Sequence, residues 1–238
     1  LIVSIRSDRP VNLVNAFENP VRTKGGYVTE SISRLEEEFE KVNRFTEAPI
    51  ATFTVGDIER IGEIAAIEIS KTMPYVVKDV TTPLGIAPVS VPSEQPVVGT
   101  ILRAGLPLHT GILNYFDHAD NAFVSAYRKH HKDGSFDIRL DYMSSPSLEG
   151  RILILADPML ATGSSMVVTF KEMMQHGKPK HTHIVACLAS AQGVEYVKSH
   201  LPSDITLWVG AVDEELTAQS YIVPGLGDAG DLAYGTKE

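Results

Sequence analysis

Asp157, Thr162, Ser164 and Ser165 fall within one short stretch, DPMLATGSS, at positions 157–165. Ala161 and Gly163 between them are small. This spacing suits an anion. At a helix N-terminus the backbone N–H groups lack intrahelical partners, small side chains let an anion approach, and hydroxyls add donors. The stretch is not a Walker A loop, G-x-x-x-x-G-K-[ST], and no G-x-G-x-x-G follows its strand. Asp157 sets it further apart. A carboxylate beside the anion site repels a bare phosphate. It makes sense for a ligand that also shows hydroxyls, as a ribose phosphate does, or that arrives with Mg²⁺. The residues fit a plain strand-to-helix turn as well, because helix starts favour Ser, Thr and Asp in any case.

Two arginines are the next candidates. Arg103 follows the apolar run 97–102 and precedes Ala104 and Gly105. From there a guanidinium reaches a diphosphate bidentately, or makes an ion pair at a strand end. Arg128 opens the basic stretch RKHHKDG, 128–134, in a chain whose formal net charge is -9. This is the local basic patch that an anionic ligand needs in an acidic protein. His130, His131 and Lys132 read individually as a solvated hairpin tip. Adjacent His130 and His131 make no metal site, since neighbouring strand residues point to opposite faces. A third candidate is the segment 221–231, YIVPGLGDAGD. Its three glycines expose backbone and Pro224 stiffens it. Backbone N–H and C=O groups alternate as the imide edge of a pyrimidine requires. A surface Ω-loop is the plainer reading.

The elements that position these groups follow from periodicity. Ile152–Ala156 is a short, branched, apolar run that predicts a buried strand, ended by Asp157 and Pro158. Met166–Gln175 predicts a helix stopped by Gly177 and Pro179. From residue 97 strands and helices alternate: strands at 97–102, 122–127, 152–156, 183–188 and 206–212, helices at 105–116, 166–175 and 194–200, and a hairpin after the loop 128–134, ending at 143. That order predicts an α/β fold with a mostly parallel, doubly wound sheet flanked by helices. Ligands in such sheets bind beyond the carboxyl ends of the strands, which places Arg103, Arg128, Asp157–Ser165 and Asp213 on one rim. Upstream, 29–45 and 56–73 show helical stripes, the second with Ile58, Ile61, Ile64, Ala65 and Ile69 facing one way. Both read as scaffold or subunit surface. Residues 81–96 carry four prolines and predict an extended arm or edge hairpin, packed on another part of the protein or on a second subunit. Residues 1–26 resist placement.

Three segments together resemble the uracil phosphoribosyltransferase family, of the type I phosphoribosyltransferases: ILRAGLPL at 101–108, DPMLATG with its following hydroxyl residues at 157–165, and YIVPGLGDAGD at 221–231. They occur in that family's order and cover the chain from about Val97 to its end. The resemblance implies a phosphoribosyltransferase-like fold over a single domain, 1–238, with N-terminal helices and an arm in 1–96 and the ligand-binding core in 97–238. It implies a pyrimidine salvage enzyme that moves the phosphoribosyl group of phosphoribosyl diphosphate (PRPP) to N1 of uracil, giving UMP and diphosphate. It assigns PRPP to Arg103, Arg128, Asp157, Pro158, Met159, Leu160, Ala161, Thr162, Gly163, Ser164, Ser165 and Asp228. It assigns uracil to Ile222, Gly227, Asp228 and Ala229, mostly through backbone. Catalysis falls to Asp157, Arg103 and Asp228, with Asp228 as the nearest carboxylate to the proton of N1. Mg²⁺ comes bound mainly through PRPP, with no metal site of the protein's own. A homodimer or higher homo-oligomer is implied. Some relatives take a nucleotide effector such as GTP, which this sequence does not itself assign. The chain departs from the family at Ser164 and Ser220, where glycine is usual, and at Leu232, where a basic residue is usual.

Composition bounds the alternatives. With 238 residues, 43% of them hydrophobic and 21% charged, the chain can bury a sizeable core. Its negative charge argues against a broad nucleic-acid or membrane surface. No apolar run reaches the length of a spanning helix and the opening LIVSIRSDRP is not a signal peptide, so a cytoplasmic protein is expected. The one cysteine, Cys187, sits in an apolar run and reads as a core thiol. Two further readings stay open: a phosphoribosyltransferase for another base, against which the C-terminal segment speaks, and an RNA-binding nucleotide sensor on the same fold, which needs a basic face.

Overall fold

The computed structural model describes residues 3–6, 9–12, 55–130 and 136–236, with only the backbone described over 3–12 and 127–139. At its centre lies a sheet in the order β2-β1-β11-β10-β8-β5-β6-β7. Its strands are β1 (Val3–Arg6), β2 (Arg9–Asn12), β5 (Val97–Leu102), β6 (Asp120–His130), β7 (Phe136–Ser144), β8 (Ile152–Ala156), β10 (His181–Ser190) and β11 (Thr206–Asp213). The five strands from β11 to β6 run parallel. β7 closes one edge antiparallel to β6, and β1 closes the other antiparallel to β11. A two-residue strand, β9 (Met159–Leu160), joins β10 beyond the end of β8.

The strands are apolar on both faces because both are covered. Val98, Ile152, Ile154, Val185, Cys187 and Trp208 pack with helix α1 (Val55–Ser70) and helix α2 (Leu106–Tyr115). Val97, Ile101, Leu153, Leu155, Ile184 and Ala186 pack with α3 (Ser164–Met173) and α4 (Ala191–His200) on the other side. Successive residues of one strand thus belong to opposite cores, as the period of two demands. The predicted doubly wound sheet is present. The stripe on α1, Ile58, Ile61, Ile64, Ala65 and Ile69, is buried in the first core together with α2.

Several boundaries differ from the periodicity. β6 runs on to His130, where a loop from Arg128 was expected, because Arg128, Lys129 and His130 pair with Ile138, Asp137 and Phe136 of β7. A charged hairpin edge hides its strand character from a hydrophobic pattern. His131, Lys132 and the rest of 131–135 lie outside the described residues, as does the expected helix at 29–45. Helix α3 starts at Ser164, two residues before the expected Met166, because small hydroxyl residues fill the first turn as readily as the cap. The segment 75–92 is a separate two-stranded ribbon, β3 (Tyr75–Thr82) against β4 (Gly85–Pro92), which is the arm read from the prolines.

Candidate active site

The stretch 157–165 forms where β8 leaves the sheet. Asp157 N–H still donates to Val185 O at 3.0 Å, and Pro158 O accepts from Cys187 and Leu188 N–H at 3.1 and 2.9 Å. Asp157 and Pro158 therefore do not release the chain: β9 follows them along β10 before the turn begins at Ala161. Gly163 turns the chain into α3 with φ 77, and its carbonyl accepts the first helical bond, from Val167 N–H, at 3.0 Å. That is left-handed backbone, where glycine is favoured. A side chain there also has no room, since a Cβ would lie 2.9 Å from Gly193 O. Ser164, where the family usually has a second glycine, is an ordinary helical residue, so the side chain added there meets no left-handed backbone.

The turn is held from below. Ser190 Oγ donates to Ala161 O at 2.6 Å and accepts from Gly193 N–H at 2.8 Å. One fully buried hydroxyl thus caps α4 and anchors the cradle backbone. Inside the cradle, Thr162 Oγ1 donates to Ser164 Oγ at 3.1 Å and accepts from Ser164 N–H at 3.3 Å. First-turn N–H groups have no intrahelical partner, which leaves those of Ser165 and Met166 at the cradle. Ala161 and Gly163 are buried, while Thr162, Ser164 and Ser165 are half-buried. Asp157 is half-buried, and its Oδ1 lies 3.4 Å from Met159 N.

Arg103 leaves the end of β5, the strand next to β8. The turn after it is tied by Gly105 N–H to Ile101 O at 3.0 Å, and α2 follows. Its guanidinium does not face an open rim. Nη2 donates to Asp231 Oδ1 at 2.8 Å and Nη1 to Gly235 O at 3.2 Å. The backbone of Arg128 lies on β6, three residues past Ser125, the partner of Leu102.

The C-terminal segment is less of a loop than its glycines suggest. Ile222 and Val223 form β13 against β12 (Glu215–Leu216), and 229–234 form a short helix, α5 (Ala229–Tyr234). Exposed backbone is confined to the stretch between them, around Gly225 and Gly227, because Asp228 caps α5 by accepting from Asp231 N–H at 2.9 Å. Asp213, at the end of β11, accepts from Gly225 N–H at 3.1 Å and pins the segment to the rim. Ile222 and Ala229 are buried, Asp228 is half-buried and Gly227 exposed. Ser220, another position where the family usually has glycine, has φ 63 in the turn that Thr217 closes.

The residues singled out in the sequence thus lie at neighbouring strand ends: Arg103 after β5, Asp157 and the cradle after β8, and Asp213 at the end of β11, with Arg103 in the ion pair that was the alternative reading of it. Sequence reasoning missed Ser190, Asp231 and the carbonyl of Gly235. Ser190 carried a local signal, a serine just ahead of a helix pattern. Asp231 carried none for pairing with a residue 128 positions away. Beneath the site, burial pushes the Cys187 thiol well above its usual range, with the Asp157 charge adding to it, so it is an inert core group. Among the described residues no group of three or more His, Cys, Asp or Glu side chains is placed to hold a metal ion, and no helix is long and apolar enough to cross a membrane.

A parallel sheet that gathers a small-residue cradle, an acid and an arginine beyond its strand ends defines an α/β protein with its candidate ligand site at the carboxyl rim. Comparison with known proteins narrows this. The family model for uracil phosphoribosyltransferase matches residues 44–236. A chain of that name from Porphyromonas gingivalis is 55% identical over 181 residues, covering 76% of this chain and 84% of its own. One from Methanococcus maripaludis is 36% identical over 219 residues, covering 84% and 92%. Among solved structures, the AQ2163 protein from Aquifex aeolicus superposes with a TM-score of 0.72 at 28% identity, covering 84% of this chain and 94% of its own. The chain belongs to the uracil phosphoribosyltransferase family. The match starts well before Val97, so α1 and the arm belong to it. A second family model, described as CT1975-like protein, matches residues 1–79 and overlaps the first from residue 44.

Proposed function

We infer that this protein is a uracil phosphoribosyltransferase, a pentosyltransferase of pyrimidine salvage that joins the phosphoribosyl group of PRPP to N1 of uracil and releases diphosphate. The observation that carries this is convergence: the three segments that resemble the family's ligand motifs lie on one rim, with Arg103 of the first bound to Asp231 of the third. Residues 1–238 are read as one domain, supported by the burial of α1 in the same core as the sheet.

The chemistry follows from the ligand. The C1′–O bond to diphosphate breaks, positive charge builds on C1′ and O4′, and N1 of uracil bonds to C1′ from the opposite face and gives up its proton. Catalysis is positioning plus charge stabilisation. The cradle Ala161–Ser165 holds the 5′-phosphate through first-turn N–H groups and hydroxyls. Pro158, Met159 and Leu160 lead the chain into it. Asp157 binds ribose hydroxyls and places a negative charge near C1′. Arg103 and Arg128 take the diphosphate. Backbone of Ile222, Gly227, Asp228 and Ala229 reads the uracil edge. Asp228 Oδ1 is engaged as the cap of α5, which leaves Oδ2 to accept the N1 proton.

Phosphoribosyltransferases generally use Mg²⁺ with PRPP. Asp157, a half-buried carboxylate at the cradle, suits an ion that arrives carried by the substrate. Bound there, Mg²⁺ would stabilise charge on the departing diphosphate.

The arm supports a homo-oligomer. Every residue of β3 is exposed, and Val77, Leu84 and Ile86 are 70%, 100% and 72% exposed. A lone two-stranded ribbon with apolar side chains is marginal in water unless something covers it. A second copy is the occupant favoured here. Val77→Lys together with Ile86→Lys should shift the mass in solution towards monomer, and an unchanged mass would reject the arm as the contact. A cytoplasmic location agrees with one free, buried cysteine.

The deciding experiment is diphosphate release with PRPP and Mg²⁺ across free bases. Release with uracil and not with adenine, guanine or orotate is expected. Release with none of them, by protein that still binds PRPP, would overturn the assignment.

A further inference from the structure

The contacts of Arg103 reach beyond a simple anion site. Its guanidinium is held at two points by the C-terminal helix and the residue after it: Asp231 Oδ1 at 2.8 Å on Nη2 and Gly235 O at 3.2 Å on Nη1. Its Nε is buried and has no partner. The same helix backs directly onto the turn that carries the arginine, since a Cβ on Gly230 would lie 3.8 Å from Ala104 Cβ. The helix is fixed in turn by Asp228, whose Oδ1 accepts Asp231 N–H, and Gly235 N–H closes it on Asp231 O at 2.9 Å. Asp228 and Asp231 therefore sit on one turn of backbone, the first in the segment that resembles the uracil site and the second on the arginine assigned above to the diphosphate.

We propose that Asp231 is a positioning residue that couples the base segment to the diphosphate site by holding the Arg103 guanidinium. This rests on the functional reading above and adds a residue and a route to it. The physical reason is that an arginine side chain loses considerable rotamer freedom when it binds an anion. A carboxylate and a carbonyl that hold two of its nitrogens remove that freedom beforehand. The second N–H of Nη1 and that of Nη2 are then left for the leaving diphosphate. The negative charge of Asp231 costs some attraction for the anion, and orientation offsets it. Ordering of 224–228 around a base also orders the cap of α5, and through Asp231 the arginine, so each substrate site is tied to the other.

The test is a double-mutant cycle with the full chain: wild type, Asp231→Ala, Arg103→Ala and the double variant, with KM for PRPP and uracil and kcat determined for each. Asp231→Ala should raise KM for PRPP about tenfold and change KM for uracil much less. The double variant should be no worse than Arg103→Ala alone. Asp231→Asn, which keeps an acceptor oxygen, should recover most of the loss. Effects that multiply in the double variant would overturn the proposal, as would a lower KM for PRPP in Asp231→Ala, which would make Asp231 a competitor of the diphosphate. If the wild type turns over no base, the functional reading fails. The coupling is then still decided by calorimetry with inorganic diphosphate, where Asp231→Ala should weaken binding in the wild-type background and not in Arg103→Ala.

Discussion

The phosphate cradle and the C-terminal segment are built in opposite ways. The cradle rests on central strands β8 and β10, its backbone bonded to β10 and to the buried Ser190, and its glycine fits a space with no room for a side chain. The C-terminal segment consists of a two-residue strand, a turn that buries Leu226 and exposes Gly227, and a six-residue helix. It is held to the body by side chains that belong to other segments, Asp213 on Gly225 and Arg103 on Asp231. A phosphate is the same in every substrate of this class and suits a rigid, locally built receptor. On the functional reading proposed above, the C-terminal segment must choose a base, and its contacts with other segments let it report occupancy. The rigid half should therefore fail by losing structure, and the tethered half by losing coordination between substrates.

The largest expected effect lies at the cradle's acid. Asp157→Asn should leave the melting temperature nearly unchanged and lower kcat about a hundredfold or more, since the charge proposed to lie near C1′ is lost. Steady-state rates beside a thermal melt check it, and near-wild-type turnover would make Asp157 a turn residue only. Next is Gly163→Ala, which adds a Cβ at φ 77 against Gly193 O. It should cost about 2 kcal/mol or more by denaturant unfolding and raise KM for PRPP, while the uracil constant holds. A stability loss without any PRPP effect would detach the cradle from the phosphate.

Smaller effects sharpen the other side. Ser220 occupies left-handed backbone in the turn ahead of β13. Ser220→Gly should stabilise the protein by about 0.5–1 kcal/mol, with the entropy of the freed chain limiting the gain. Equilibrium unfolding reads it, and destabilisation would place the strain elsewhere. The last concerns pH. His109 on α2 is buried, which lowers its pKa, opposed in part by hydrogen bonding with Asn121 and the backbone of Val98. The unfolded chain then takes up its proton first, near pH 6.5. Stability is full above that pH and falls as the pH drops towards the depressed folded value. Melting temperature should decline from pH 7.5 to 5.5, and His109→Leu should flatten that decline. Parallel curves for the two would remove His109 as the cause. Its amide bonds to Gly105 O, so softening of α2 should reach the Arg103 turn.

Much of this was legible in the residues. The apolar strands, the amphipathic stripe of α1, the proline-rich arm and the cradle are each written in neighbouring positions, because period, breakers and turn residues act over a few residues of chain. The exceptions show the limit of that. Arg128–His130 read as a loop because their strand is a polar edge, and pairing with β7 decides it. The glycines of 225–230 read as one long loop because the capping bond of Asp228 has no periodic signature.

What the amino-acid order alone determined was the alternation that makes a parallel sheet, the rim at its strand ends and the small and hydroxyl residues that make the turn into α3. Tertiary structure alone decided how those groups are held: Ser190 under Ala161, Asp213 on Gly225, and Asp231 on Arg103. The reason is physical. Hydrogen bonds between residues far apart in sequence depend on where strand ends are brought by the sheet order, and no local pattern of polarity or size encodes that distance.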